Sequence, residues 1–411
     1  MTRRAAVRGA LVLGLALASP ALGTASTPSL YPSCTLGGLD GAQILICVPP
    51  AWNGDLVVFA HGYVAPTDGP PAIPWDQLEL PDGTSIPGVV MGLGFAFATT
   101  SYRDDGLAVV EGVEDVEGLV RAFPAVAPHP PDHVYLVGAS EGGLVATLAV
   151  EQARGVFSGG LAACGPVGDF RRHIDYVGDF RVLFDYFFPG VISGNAIDPP
   201  RVSQHEWDTA YVPRITAAFR DRAVRLDKLL RVGRAPFDPN EPQTKIETAL
   251  GVLWYNVFAA ADTRAKLGGG NAYDNSRRLY LGSGNDFWLN LLVDRFHADP
   301  TALAAMEDGY QTSGRLAAPL VTLHTTADPI VPYWHEPLYS LKALPSGLLH
   351  TKLPVFRYGH CSFRAEEALV ALGLLVLKVE GRELLDAERF LPTESARRRY
   401  RSLARVNGLR R

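Results

Sequence analysis

Short apolar runs set off by turn residues recur through the first part of the chain, lapse, and return near its C-terminus. Gln43–Val48, Leu56–Ala60, Phe95–Tyr102, Val134–Val137 and Leu161–Cys164 each read as a strand, and the turn Trp52-Asn53-Gly54-Asp55 joins the first two. Between them, Val113–Phe123 and Leu144–Ala153 carry apolar residues at helical spacing. The pattern resumes with strands at Leu320–His324 and Leu353–Arg357 and helices at His335–Leu344 and Glu366–Leu377. Strands alternating with helices predict an α/β architecture, a mostly parallel sheet covered by helices on both faces.

From about Pro166 to Leu316 the alternation stops. The stretch is rich in aromatic residues and Arg, with few strand-like runs, and predicts a mostly helical insertion over 166–316. Pro199-Pro200, Pro236-Phe237-Asp238-Pro239 and Gly268-Gly269-Gly270 break it into pieces. The core then comprises 26–165 and 317–390, followed by an Arg-rich tail, 391–411. Phe184, Phe187 and Phe188 offer an apolar or aromatic substrate pocket within the insertion. The competing expectation is that they form the insertion's own core, as aromatic residues in helical segments usually do.

Gly138-Ala139-Ser140-Glu141-Gly142 lies between the apolar run Val134–Val137 and the helical stretch from Leu144. A strand, a G-x-S-x-G pentapeptide and a helix in that order describe a nucleophile elbow. A Ser hydroxyl is a weak nucleophile and must stand on a sharp turn where a base can reach it. The flanking glycines remove side chains that would collide as strand and helix close on each other. A serine nucleophile also needs a base, an acid that orients the base, and donors for the oxyanion. Strand Leu353–Arg357 runs into Tyr358-Gly359-His360, which makes His360 the candidate base. Strand Leu320–His324 runs into Thr325-Thr326-Ala327-Asp328-Pro329, which makes Asp328 the candidate acid, with Asp169 as its competitor. Strand Leu56–Ala60 ends in His61-Gly62-Tyr63. The backbone N–H groups of Tyr63 and Glu141 are the candidate oxyanion donors, and the His61 side chain reads as structural.

His61-Gly62, the G-A-S-E-G-G elbow, T-x-A-D-P-I-V-P and G-H-C, in this order, resemble the α/β-hydrolase superfamily over roughly 40–165 and 317–378. The resemblance implies an α/β-hydrolase fold with a helical cap, and a Ser140–His360–Asp328 triad that works through an acyl-enzyme. The elbow and acid loop look most like secreted carboxylesterases and the catalytic domains of prolyl-oligopeptidase-type peptidases. An ester hydrolase is the first expectation. A peptidase or amidase with the same residues is the second, and a non-catalytic binding protein on the same scaffold the third. The substrate expected is a small or polymeric ester. The chain has no H-E-x-x-H, no G-x-x-x-x-G-K-[ST] and no EF-hand loop, so neither metal nor cofactor is expected.

With 411 residues, 47% of them hydrophobic, the chain can bury a large core. Arg3, Arg4 and Arg8, the apolar run Ala10–Ala18 and small residues near Ala25 read as a signal peptide over 1–25, too short for a stable membrane span. The formal charge of −5 divides unevenly: 397–411 holds seven Arg and no acid, which leaves 26–396 at about −15. So acidic a body argues against nucleic acid as a partner. The tail could touch an anionic surface or form a solvated helix. Export makes disulfides plausible for Cys34, Cys47, Cys164 and Cys361. Cys34 and Cys47 flank an apparent hairpin. Cys164 ends a strand expected beside the nucleophile strand, and Cys361 adjoins His360. The expected bridges are Cys34–Cys47 and Cys164–Cys361.

Overall fold

A computed structural model describes residues 33–409; the expected signal peptide lies outside the described residues. Eight strands form one sheet: β1 (Cys34–Leu39), β2 (Ala42–Cys47), β3 (Leu56–Ala60), β4 (Ala96–Thr100), β5 (Val134–Ala139), β6 (Gly159–Ala163), β7 (Leu320–Ala327) and β8 (His350–Tyr358). Their order is β1-β2-β4-β3-β5-β6-β7-β8. β1 and β2 form an antiparallel hairpin, β2 is antiparallel to β4, and every later pairing is parallel. The turn after β2 leads into β3 as expected, yet the two strands are not neighbours. β4 lies between them, because the helix Ile86–Gly92 and its loops return the chain to that position.

β3, β4 and β6 are buried along their whole length, which is why they read as continuous apolar runs. Their side chains still divide with period two. Val57, Phe59, Phe97 and Leu161 face a layer built on the helix Ala365–Glu380. Leu56, Val58, Ala60 and Ala98 face the helices Val109–Ala122 and Glu141–Gln152. The C-terminal tail is an ordered helix, Glu394–Val406, that buries Tyr400 and Ala404 in the first of these layers. Two of its arginines meet acids closely: Arg399 pairs with Glu366 at 2.6 Å, and Arg401 with Glu388 at 2.7 Å and Glu394 at 2.6 Å.

Between β6 and β7 the chain is helical, as expected. Phe170–Phe187, Val212–Asp221, Ala223–Gly233, Thr244–Lys266, Asp286–Leu292 and Pro300–Tyr310 are its longer helices. Most of this cap has a core of its own, including Phe180, Phe219, Leu230 and Leu253. Both expected disulfides are present. Cys34–Cys47 clasps the hairpin at a directly opposed pair (Cα–Cα 3.9 Å), and Cys164–Cys361 ties the end of β6 to the loop after β8 (Cα–Cα 5.4 Å).

Candidate active site

Ser140 stands between β5 and the helix Glu141–Gln152 with φ 56° and ψ −122°, a conformation that side chains other than Gly rarely adopt. Such backbone strain costs on the order of 1–3 kcal/mol and persists only where the surroundings enforce it. Here the Ser140 N–H donates to the Ala163 carbonyl at 2.9 Å, and the Ser140 carbonyl accepts from the Gly143 N–H at 2.9 Å. The flanking glycines are sterically required. A Cβ at Gly138 would collide with the Gly142 carbonyl, and one at Gly142 with the Ala60 carbonyl. Gly142→Ala is therefore expected to destabilise the fold by at least about 3 kcal/mol. Thermal unfolding followed by circular dichroism checks this; an unchanged melting temperature would refute the tight elbow.

His360 follows β8, with Gly359 at φ 110° turning the loop. Its Nε2 lies 2.8 Å from Ser140 Oγ and its Nδ1 2.8 Å from Asp328 Oδ2. Asp328 is fully buried just past β7, where the β7–β8 register shifts. Its Oδ1 accepts the N–H groups of Ile330 and Val331, both at 2.9 Å. His324 Nε2 donates to the Val331 carbonyl at 2.8 Å and backs the same loop. Asp169 is occupied elsewhere. It caps the helix Phe170–Phe187 by accepting the Arg172 N–H at 3.1 Å and also accepts from Gln311 Nε2 at 3.0 Å.

The loop after β3 presses on the elbow so closely that a methyl group on Gly62 would lie 3.1 Å from Ser140 Cβ. Gln77 Oε1 accepts the Gly62 N–H at 2.7 Å, and Tyr63 lines the cavity beside Ser140. Glu141 opens its helix, where a backbone N–H has no intrahelical partner. His61 is structural: it is buried, stacks on Tyr102 at 4.0 Å and bonds the Gly62 carbonyl through Nδ1.

Ser140 opens into a cavity of about 110 Å³ between the sheet and the cap. Phe170, Ile174, Val177 and Gly178 line it from one cap helix, and Tyr255, Ala259 and Ala260 from another. Phe184, Phe187 and Phe188 do not line this cavity, and their expected pocket role is corrected here. They are buried in the cap's own core, where Phe184 and Phe188 pack around Phe219. Three side chains to which the sequence assigned no part do reach the cavity. Tyr255 is one. His173 is another; burial, then His360, pushes its pKa down to about 4, so it is neutral at neutral pH. The third is the Glu141 carboxyl, which accepts the Ala108 N–H at 3.1 Å and which burial holds well above the usual carboxylate range. Burial thus disfavours a negative charge beside Ser140.

Among the described residues, two groupings have metal-like spacing, and neither fits an ion. Cys164 and Cys361 are bonded to each other beside His360. Asp55 and Glu380 already hold the Arg382 guanidinium, 2.5 Å from Asp55 Oδ2, and His133 Nδ1 bonds Asp55 Oδ1 at 3.0 Å.

No family model matches the chain, and no curated protein matches it. Among solved structures it is similar to Candida antarctica lipase A in its closed state, with TM-score 0.47 and 15% identity over 83% of this chain and 74% of that one. It is also similar to feruloyl esterase B from Aspergillus oryzae, with TM-score 0.44 and 16% identity over 84% and 80%. A Pyrococcus horikoshii acylaminoacyl peptidase matches with TM-score 0.43 and 12% identity over 87% of this chain but 43% of that one. The sheet order, the strand–Ser140–helix elbow and the loops after β7 and β8 make this an α/β-hydrolase fold.

Proposed function

We propose that the protein is a secreted serine hydrolase that cleaves carboxylic esters. The observation that carries this reading is the unbroken hydrogen-bonded chain from Ser140 Oγ through His360 to Asp328, with 2.8 Å at each step. Ser140 Oγ attacks the ester carbonyl as His360 Nε2 accepts its proton. Asp328 holds the Nδ1–H and stabilises the imidazolium. The N–H groups of Tyr63 and Glu141 receive the oxyanion; such a donor is worth on the order of 10²–10³ in rate. Collapse expels the alcohol, which takes its proton from His360, and water then releases the acid by the same steps. The two disulfides support an oxidising compartment.

The largely apolar walls beside Ser140 favour an ester over a peptide. Arg264, at the exposed rim, is the feature a peptidase could use to hold a substrate carboxylate. Two measurements separate these readings. A fluorophosphonate probe is expected to label one residue, Ser140, as read by peptide mass mapping. Turnover of p-nitrophenyl esters is expected to exceed that of aminoacyl-p-nitroanilides by at least about 100-fold. Absent or misplaced labelling would remove the hydrolase reading, and preference for the anilides would move it to a peptidase.

A further inference from the structure

One segment of the cap does two things. Its start, Asn271-Ala272-Tyr273, lines the cavity beside Ser140. Its continuation turns large apolar side chains to solvent: Leu279, Leu281, Phe287, Trp288, Leu291 and Leu292 are each between 49% and 71% exposed. So many large apolar groups on consecutive turns mark a docking surface rather than ordinary scatter. The display is held rigid from beneath. Asp179 accepts from the Tyr273 hydroxyl at 2.9 Å, the Tyr280 hydroxyl at 2.7 Å and Arg278 at 2.5 Å. Arg295 donates to the carbonyls of Asn275 and Arg278, and Asn290 Nδ2 donates to the Tyr280 carbonyl.

The surroundings of the patch select its occupant. A methyl group on Gly282 would touch the Arg231 side chain, and one on Gly284 would lie 3.7 Å from Lys228 Nζ, so two cations border the apolar surface. Exposed Arg277 precedes it in the chain. Of the nearby acids, Asp286 is bonded to the N–H groups of Gly282 and Ser283 and to the Ser283 hydroxyl, while Asp294 faces solvent. An apolar face with Trp and Phe and a basic border is the chemistry of an interfacial anchor. A two-fold contact between copies would instead bring the basic border against itself. We infer that this face of the cap docks on an anionic lipid surface, seating the protein with one wall of its cavity tied to the anchoring segment.

The test is flotation with vesicles of ether-linked phosphatidylcholine, with and without ether-linked phosphatidylglycerol. These lipids carry no acyl ester, so binding is read whether or not the proposed reaction is correct. The full chain is expected to float with phosphatidylglycerol vesicles. Phe287→Ser/Leu291→Ser is expected to bind at least about tenfold more weakly, at unchanged melting temperature and unchanged turnover of p-nitrophenyl acetate. Lys228→Glu/Arg231→Glu is expected to lose most of the preference for phosphatidylglycerol. No flotation of the full chain overturns the inference, as does equal binding by the Phe287 and Leu291 variant. It is also overturned by a dimer in light scattering that the same variant converts to monomer.

Discussion

Ser140→Ala is expected to lower kcat/KM for a p-nitrophenyl ester by about 10⁴–10⁶-fold, with the melting temperature unchanged or raised. The size follows from what the substitution removes. Without Oγ no covalent acyl-enzyme forms, and His360 Nε2 loses the group 2.8 Å away from which it takes a proton. The oxyanion donors remain, so some rate above water should persist. Stability should not suffer, because Ala keeps the one Cβ that the elbow already accommodates at φ 56°. Steady-state assays and thermal unfolding of the purified variant check both parts. A loss below about tenfold would dismiss Ser140 as nucleophile.

Asp328→Asn is expected to cost about 10⁴-fold in kcat, the order seen when this swap is made in a Ser-His-Asp triad. The local geometry gives the reason. Oδ1 accepts two backbone N–H groups, from Ile330 and Val331. In an amide only the oxygen can replace it, so the NH₂ must turn toward His360 Nδ1. The imidazole would then carry its proton on Nε2 and could not accept one from Ser140. KM should change little, since Asp328 is fully buried. Asp328→Glu would misplace the carboxylate without reversing the donor, and is expected to retain more activity. The opposite ranking of the two variants would argue against tautomer control.

The three residues of the proposed triad were legible because each stands at the carboxyl end of a strand beside a backbone breaker: Ser140 between Gly138 and Gly142, Asp328 before Pro329, His360 after Gly359. Buried parallel strands such as Leu56–Ala60 betray themselves as apolar runs between turns. The place of β4 between β2 and β3 was not legible, since strand pairing is decided by contacts distant in sequence. The cavity wall was hidden for a different reason. The helix Phe170–Phe187 is covered on two sides: Phe170, Ile174, Val177 and Gly178 face the cavity, while Phe180, Phe184 and Phe187 face the cap core. A helix apolar on both flanks shows no single stripe from which to tell substrate wall from core. His173 and Tyr255 likewise reach the cavity through tertiary packing, with no neighbouring motif to mark them.

The bridge between Cys164 and Cys361 spans 197 positions of sequence, and the whole cap hangs inside that span. The protein is thus a closed covalent ring with two free arms. A protease that cuts once anywhere within the ring opens it without dividing the molecule. The arm with the nucleophile and the arm with the C-terminal helix stay joined beside His360. Such a nicked species migrates as one polypeptide until a reductant is added and as two afterwards, so damage to the cap need not scatter the proposed triad.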